Sequence, residues 1–176
     1  MRTSDVDWAI DYAMQNRLAM ARAVESLLGS LFEVAVDWST LIHCHHNHVR
    51  QETHFGEQFL IHRKGALSAA DQEPGVIPGS MGTRSYHVTG RGFSAALQSS
   101  SHGAGRLLPR AVARHQVSRM DLERQMHNVW FDAKRGDRLR DEAPAAYKEV
   151  GRVMRAQREL TRIMRQLRPV LVYKGN

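Results

Sequence analysis

A single cysteine, Cys44, stands in the 176 residues of this chain, so no disulfide can form within it. A reducing, cytoplasmic setting is the one expected for such usage. No apolar run approaches the roughly 20 residues that a membrane span requires, and no membrane association is expected. Asp5, Asp7 and Asp11 near the start argue against a secretory signal or a transit peptide. The sequence holds no Gly-Lys-Ser/Thr, which excludes a P-loop. It also lacks a second cluster at four-ligand zinc spacing, which argues against a complete structural zinc site. Internal repeats, low-complexity tracts and linker-like stretches are missing too, so residues 1–176 read as one unit.

What is present points to a folded α+β chain. Hydrophobic residues make up 42% and charged residues 24%, which suits a globular domain with a real core. The net charge of +7 is unevenly placed: Arg106 to Arg168 carries 16 Lys and Arg against 8 Asp and Glu. A polyanionic partner such as nucleic acid would explain that excess, and so would a solvated, arginine-rich helical face. Ser4 is placed to cap a helix with Asp5 and Asp7 in its first turn. Ile10, Met14, Leu18, Ala21, Val24, Leu28 and Leu31 then recur at helical spacing and predict a buried face.

Nine of the 13 glycines fall between Gly56 and Gly105, a density that predicts short strands and tight turns. Phe59 to His62 and Ser85 to Val88 are the strands expected there. Pro109 is expected at the first position of a helix running toward Val117. Pro144 is expected to open a longer helix with Val150, Val153, Met154, Leu160, Ile163, Met164 and Leu167 along one face. Pro169 would end it, leaving Val170 to Tyr173 as a last strand. The architecture expected is a single compact α+β unit with long amphipathic helices flanking a Gly-rich strand-and-turn region.

Three segments could carry chemistry. His43-Cys44-His45-His46-Asn47-His48 gathers four of the 10 histidines and the only cysteine. If extended, it puts Cys44, His46 and His48 on one face and His43 and His45 on the other. Imidazole suits zinc, and with carboxylates manganese, so at least one of these side chains is a candidate metal ligand; a packing or surface cluster is the alternative. Pro78-Gly79-Ser80-Met81-Gly82 is either a phosphate cradle or a plain turn. Ser99-Ser100-Ser101-His102-Gly103-Ala104-Gly105-Arg106 presents one imidazole among residues small enough for backbone N–H groups to approach a phosphate. His102 there is a nucleophile, a ligand or an ordinary loop histidine.

Together these segments resemble the C-terminal half of the RtcB-type RNA-splicing ligases. The matching pieces, in order, begin with Tyr12-Ala13, Asn16-Arg17, Cys44-His45-His46-Asn47, His54-Phe55-Gly56-Glu57 and Arg63-Lys64-Gly65-Ala66. Ile77 to Gly82 with Ser85-Tyr86, His102 to Arg106, Asp141-Glu142 with Pro144, Ala146-Tyr147-Lys148 and Lys174-Gly175 complete them. The resemblance implies manganese-dependent joining of an RNA 3′-phosphate or 2′,3′-cyclic phosphate to a 5′-hydroxyl, with GTP as energy source and RNA as partner. It implies His102 as the nucleophile that takes GMP, and His46 as a manganese ligand that also contacts the nucleotide. Asn47, Pro78, Gly79, Ser80, Met81, Ser85, Gly103, Ala104, Gly105 and Lys174 are the implied nucleotide contacts. His43, His45 and His48 receive no role.

The same resemblance implies that the family's N-terminal half, with an Asp-x-x-Cys metal motif and two further histidine ligands, is absent from these residues. A separately encoded half would then be a partner. Pro109 stands where the family usually has Ser, which removes an N–H and a hydroxyl. Two other readings remain: a non-catalytic remnant that binds guanine nucleotide or RNA, and a metal-dependent phosphodiesterase.

Overall fold

The computed structural model describes residues 3–175. It opens with a 30-residue helix, α1 (Thr3–Phe32). The capping expected of Ser4 concerns a side chain outside those described. A hairpin of β1 (Asn47–His54) and β2 (Glu57–Lys64) follows, with His54 opposite Glu57. Its two turn residues, Phe55 and Gly56, have φ of 53° and 84°, as a two-residue hairpin turn of the right twist demands. Then come β3 (Ala66–Ser68), β4 (Pro74–Ile77), β5 (Ser85–Gly90) and β6 (Ser99–Ser101). Short helices α2 (Arg110–Gln116), α3 (Arg119–Gln125), α4 (Gly136–Leu139) and α5 (Val150–Ala156) precede the last strand, β7 (Thr161–Leu167).

All strand pairs are antiparallel: β1 with β2, β3 with β6, and a three-stranded sheet ordered β4-β5-β7. Leu67, Ile77, Tyr86, Val88, Ala104, Val150 and Met154 form one apolar core, which joins β3, β4 and β5 to α5 and to the loop after β6. Met81, Val117, Leu122, Met126, Val129 and Ala143 form a second, under the short helices. The α+β class and the strands at Phe59 to His62 and Ser85 to Val88 are as expected.

Four expectations need correction. The stripe on α1 is buried only in part: Ile10, Met14, Leu18 and Ala21 are half-covered, while Val24 and Leu31 are 54% and 64% exposed. Length explains this, since 30 helical residues span about 45 Å and an eight-residue strand only about 27 Å. The helix outruns the hairpin it packs against.

The long helix expected from Pro144 does not form. Pro144–Ala146 is a single 3-10 turn, α5 stops at Ala156, and Leu160, Ile163, Met164 and Leu167 leave the helix. Ile163, Met164 and Leu167 lie on β7, because the edge of β5 needs a partner and tertiary pairing overrides helical spacing. Arg165 faces His87 and Ile163 faces Val88, so Met164 is the extra residue of a bulge. That bulge breaks the alternation that would have marked a strand. Val170 to Tyr173 makes one parallel bridge, Leu171 to Trp130, rather than a strand. Pro109 is the N-cap of α2, one position before its expected place.

A buried arginine ties the hairpin to the rest. The side chain of Arg63 is 1% exposed and holds Glu52 by two bonds, of 2.5 and 2.9 Å. It also donates to the Leu97 carbonyl at 2.9 Å and the Ser99 hydroxyl at 2.9 Å, just ahead of and within β6. Leu97 and Gln98 sit at φ of 49° and 48°, a strained pair whose carbonyls both accept from Arg63. The Arg63 hydrogen bonds hold the Glu52 carboxyl below its ordinary range, against the burial that would raise it.

Arg63→Met is expected to destabilise the chain by about 3 kcal/mol in urea unfolding, because the half-buried Glu52 keeps only His54 and the Leu97 and Gln98 carbonyls lose their donor. Glu52 ionises more readily in the folded chain, so its contribution is full above its ordinary value of 4.5 and is lost as pH falls through the lowered value. The variant should flatten that part of the stability profile. A loss below about 1 kcal/mol would show that the ion pair does not anchor the hairpin.

Candidate functional site

The register of β3 on β6 builds the site. Ala66 pairs with Ser101, so the residues just outside that pair, Gly65 and His102, are brought face to face. His102 Nδ1 lies 2.5 Å from the Gly65 carbonyl oxygen. A carbonyl only accepts, so Nδ1 carries the proton and the lone pair is left on Nε2. The His102 residue is exposed, so Nε2 belongs to an accessible ring. Gly65 is itself fixed from the other side. Its N–H donates to the His46 carbonyl at 2.7 Å and to Asn47 Oδ1 at 2.9 Å.

His46 stacks on His102, with ring centroids 5.5 Å apart and planes 14° from parallel. Partial loss of water around the His46 ring, then the charges of His102 and Arg17, lower its pKa and favour the neutral imidazole. The rest of the histidine run does not share its face. Strand β1 begins only at Asn47, so the alternation expected from an extended run fails upstream of it. Cys44 packs against the first core, His43 accepts from Arg17 at 2.8 Å, and His45 rests edge-on against His43. His48 is buried 3.4 Å from Arg63, and burial followed by Arg50 and Arg63 pushes its pKa down to about 4. These are packing roles.

The turn after β4 lies against the His102 loop. The Ala104 N–H donates to the Pro78 carbonyl at 3.0 Å, and a Cβ on Gly103 would stand 3.1 Å from that same oxygen. Gly79 has no room for a side chain, since a Cβ would meet Thr83 Oγ1 at 2.3 Å and the Arg84 carbonyl at 2.4 Å. The Ser80 N–H donates to Thr83 Oγ1 at 2.6 Å, which closes the turn. Met81 points into the second core, so only its backbone is left for a ligand. Ala104 is buried in the first core, and Gly105 takes φ of 72°. Ser85 opens β5 opposite Leu167.

Lys174 is brought not to His102 but to Glu142, with Nζ 3.4 Å from Oε2. Glu142 accepts from the Tyr147 hydroxyl at 2.6 Å, and that oxygen accepts from Arg106 at 3.0 Å. This chain of contacts ends four residues beyond His102. Burial raises and the Tyr147, Lys174 and Arg110 contacts lower the Glu142 carboxyl, with a net fall, so it stays charged against these cations. Among the described residues no three His, Cys, Asp or Glu side chains converge as a metal site. His46 can offer one imidazole, which does not by itself fit a resident manganese ion.

Three residues of the site received no role from the sequence, although Gly65 stands in one of the matching pieces. Gly65 lies 37 positions from His102. Gln157 is buried, and its Oε1 accepts from the Ser101 N–H at 3.0 Å and the Ser101 hydroxyl at 2.9 Å, which fixes the backbone just before His102. Thr83 closes the turn. Only the pairing of β3 with β6 reveals the first two.

The family described as tRNA-splicing ligase RtcB matches residues 3–175. The chain belongs to the RtcB family. It is 41% identical over 175 residues to the RNA-splicing ligase RtcB of Escherichia coli (strain K12), covering 97% of this chain and 42% of that protein. The tRNA-splicing ligase RtcB of Nanoarchaeum equitans is 33% identical over 138 residues, or 68% of this chain and 29% of the relative. The Mycobacterium tuberculosis RNA-splicing ligase RtcB is 32% identical over 190 aligned positions, with 95% and 43% covered. This RtcB-family chain thus spans about two fifths of the E. coli relative. No described helix is long and apolar enough to cross a membrane.

Gly65→Ala tests the seat of His102. Gly65 has φ of 66°, and an added Cβ would lie 3.3 Å from His102 Cε1; Gly56 has φ of 84° and open space around it. Gly56→Ala should cost about 1–2 kcal/mol from the left-handed backbone alone. Gly65→Ala should cost more in urea unfolding and should shift the His102 Cε1–H resonance. Equal costs with an unmoved resonance would mean that the ring does not rest on Gly65.

Proposed function

We propose that this RtcB-family chain is the nucleophile-bearing part of a GTP-dependent RNA ligase, joining an RNA 3′-phosphate or 2′,3′-cyclic phosphate end to a 5′-hydroxyl. The observation that carries the reading is the commitment of His102 Nδ1 to the Gly65 carbonyl, which leaves Nε2 as a free nucleophile on an exposed residue. Nε2 attacks the α-phosphorus of GTP. A P–N bond forms, the bridging P–O bond breaks, and pyrophosphate leaves with the electron pair. The ring gains positive charge, and the Nδ1–H bond to the carbonyl dipole stabilises it. A cyclic end is first opened by water, whose oxygen joins phosphorus as the P–O2′ bond breaks and the 2′ oxygen takes a proton. An RNA 3′-phosphate oxygen then attacks the same α-phosphorus, the P–N bond breaks, and neutral imidazole returns with its Nδ1 proton. The 5′-hydroxyl oxygen finally displaces GMP, and its proton passes to solvent.

In this reading the backbone of Pro78 to Met81 and of Gly103 to Gly105 cradles the nucleotide, and Asn47, Ser85 and Lys174 contact it. Asn47 Oδ1 is already engaged with the Gly65 N–H, so only its amide NH2 is free to donate. Manganese would take His46 as one ligand, and the remaining donors would come from another segment or a separately encoded half. A second reading, binding of guanine nucleotide or RNA without sealing, is favoured by one fact: the described residues do not complete a metal site.

The test is to incubate the chain with α-labelled GTP and manganese, with and without the remaining family portion as a second polypeptide. Acid-labile label on His102 is expected when the second polypeptide is present, and none on His102→Ala. Label on another residue would reject the assignment. GTP binding without label under both conditions would support the non-sealing reading.

A further inference from the structure

The excess of cations between Arg106 and Arg168 is not used up by the site around His102. A cleft of about 1290 Å³ opens between the Gly82–Arg84 segment, the stretch from Pro144 through α5, and β7. Neither His102 nor His46 lines it. Arg84, Lys148, Arg155, Arg158 and Arg168 do, over a floor that includes the buried Val150 and Met154. Glu149 is the only acidic lining residue.

That one carboxylate is already committed. Glu149 caps α5 by accepting from the Gly151 and Arg152 N–H groups at 2.7 and 2.8 Å, and it lies 3.4 Å from Arg155. Arg84 donates to the neutral amide oxygen of Gln166, at 3.0 Å. Among the described residues, Arg84, Lys148, Arg158 and Arg168 have no carboxylate within ion-pair distance. Four uncompensated cations facing one cleft repel each other and focus a positive potential that an anionic ligand relieves.

The cations do not converge on a point. They stand on three separate segments along the walls, so a ligand with one charge would leave most of them unmatched. A strand bearing a charge at every unit fits better. Gly82 and Thr83, which line the cleft, continue directly from the Pro78–Met81 turn.

We propose that this cleft is a track for the phosphate backbone of single-stranded RNA, leading the strand toward the Pro78–Met81 turn. The choice of RNA as the polyanion rests on the ligase reading above; the charge pattern and the cleft do not. Lys148, Arg158 and Arg168 are the contacts, each exposed and, among the described residues, without a carboxylate partner. They act on phosphates, so binding is sequence-tolerant and salt-dependent.

The test uses the full chain and a fluorescein-labelled single-stranded RNA of about 20 nucleotides, read by fluorescence anisotropy across a salt series. The cleft variant is Lys148→Ala/Arg158→Ala/Arg168→Ala. The charge-matched control is Lys134→Ala/Arg138→Ala/Arg152→Ala, outside the cleft. Losing three phosphate contacts should reduce the slope of log K against log salt by about 2 units and weaken binding at least about tenfold at moderate salt. The control should lose less than about threefold, and both variants should melt with the wild type by circular dichroism. Equal losses in the two variants, no loss in the cleft variant, tighter binding of polyglutamate than of RNA, or no RNA binding by the wild type would each overturn the proposal. Covalent labelling of His102 in the presence of the second polypeptide is scored separately. Its absence there with cleft-dependent RNA binding intact would remove the ligase reading and leave the track standing.

Discussion

The hydrogen bond from His102 Nδ1 to the Gly65 carbonyl is the contact on which the site depends. It decides which ring nitrogen keeps the proton, and so which one has a lone pair to use. Its two residues are neighbours because β3 and β6 pair in a single register, Ala66 on Ser101. A one-residue slip would turn the strand faces over and separate them. Gly65 can present its carbonyl this way only because it adopts φ of 66° with no Cβ to meet the ring. Its own N–H is held by His46 and Asn47, so one glycine joins the histidine run to the His102 loop, and the Pro78 turn is joined to that loop through Ala104.

The scaffold behind this contact is polar as well as apolar. Arg63, two residues before Gly65, is buried, forms a bidentate pair with Glu52, and reaches across to the carbonyls of Leu97 and Gln98. From the opposite side Gln157 fixes Ser101, one residue before His102. The segment that leads into His102 is thus tethered at two places by directional bonds, while Ala104 seats the far end of the loop in the core. Hydrophobic burial supplies bulk stability here, and the buried polar bonds supply position. The arrangement suits a site whose working group must be accessible and yet keep one orientation.

Much of this was legible in the sequence, and the gaps have physical causes. Glycine density predicted short strands and turns because it is a local pattern, and the resemblance carried by the motifs around His46, Pro78 and His102 implied one site. The end of the chain misled: Leu160, Ile163, Met164 and Leu167 have helical spacing, but a bulge at Met164 in β7 and the open edge of β5 determined their state. The stripe on α1 predicted a buried face, yet the hairpin beneath it is too short to cover Val24 and Leu31. Gln157 and Thr83 lay in no pattern, and Gly65, though part of a matching piece, had no role that pattern could assign. Their roles arise from pairing and packing between distant segments, which a local reading of residues does not contain.

The most direct test of this account is the tautomer of His102, read by long-range ¹H–¹⁵N correlation on histidine-labelled chain at about pH 8, where free imidazole is neutral. The account predicts a protonated Nδ1 and an unprotonated Nε2. A protonated Nε2 with a bare Nδ1 would contradict it, because the Gly65 carbonyl would then face a lone pair and the exposed nitrogen would have none to give.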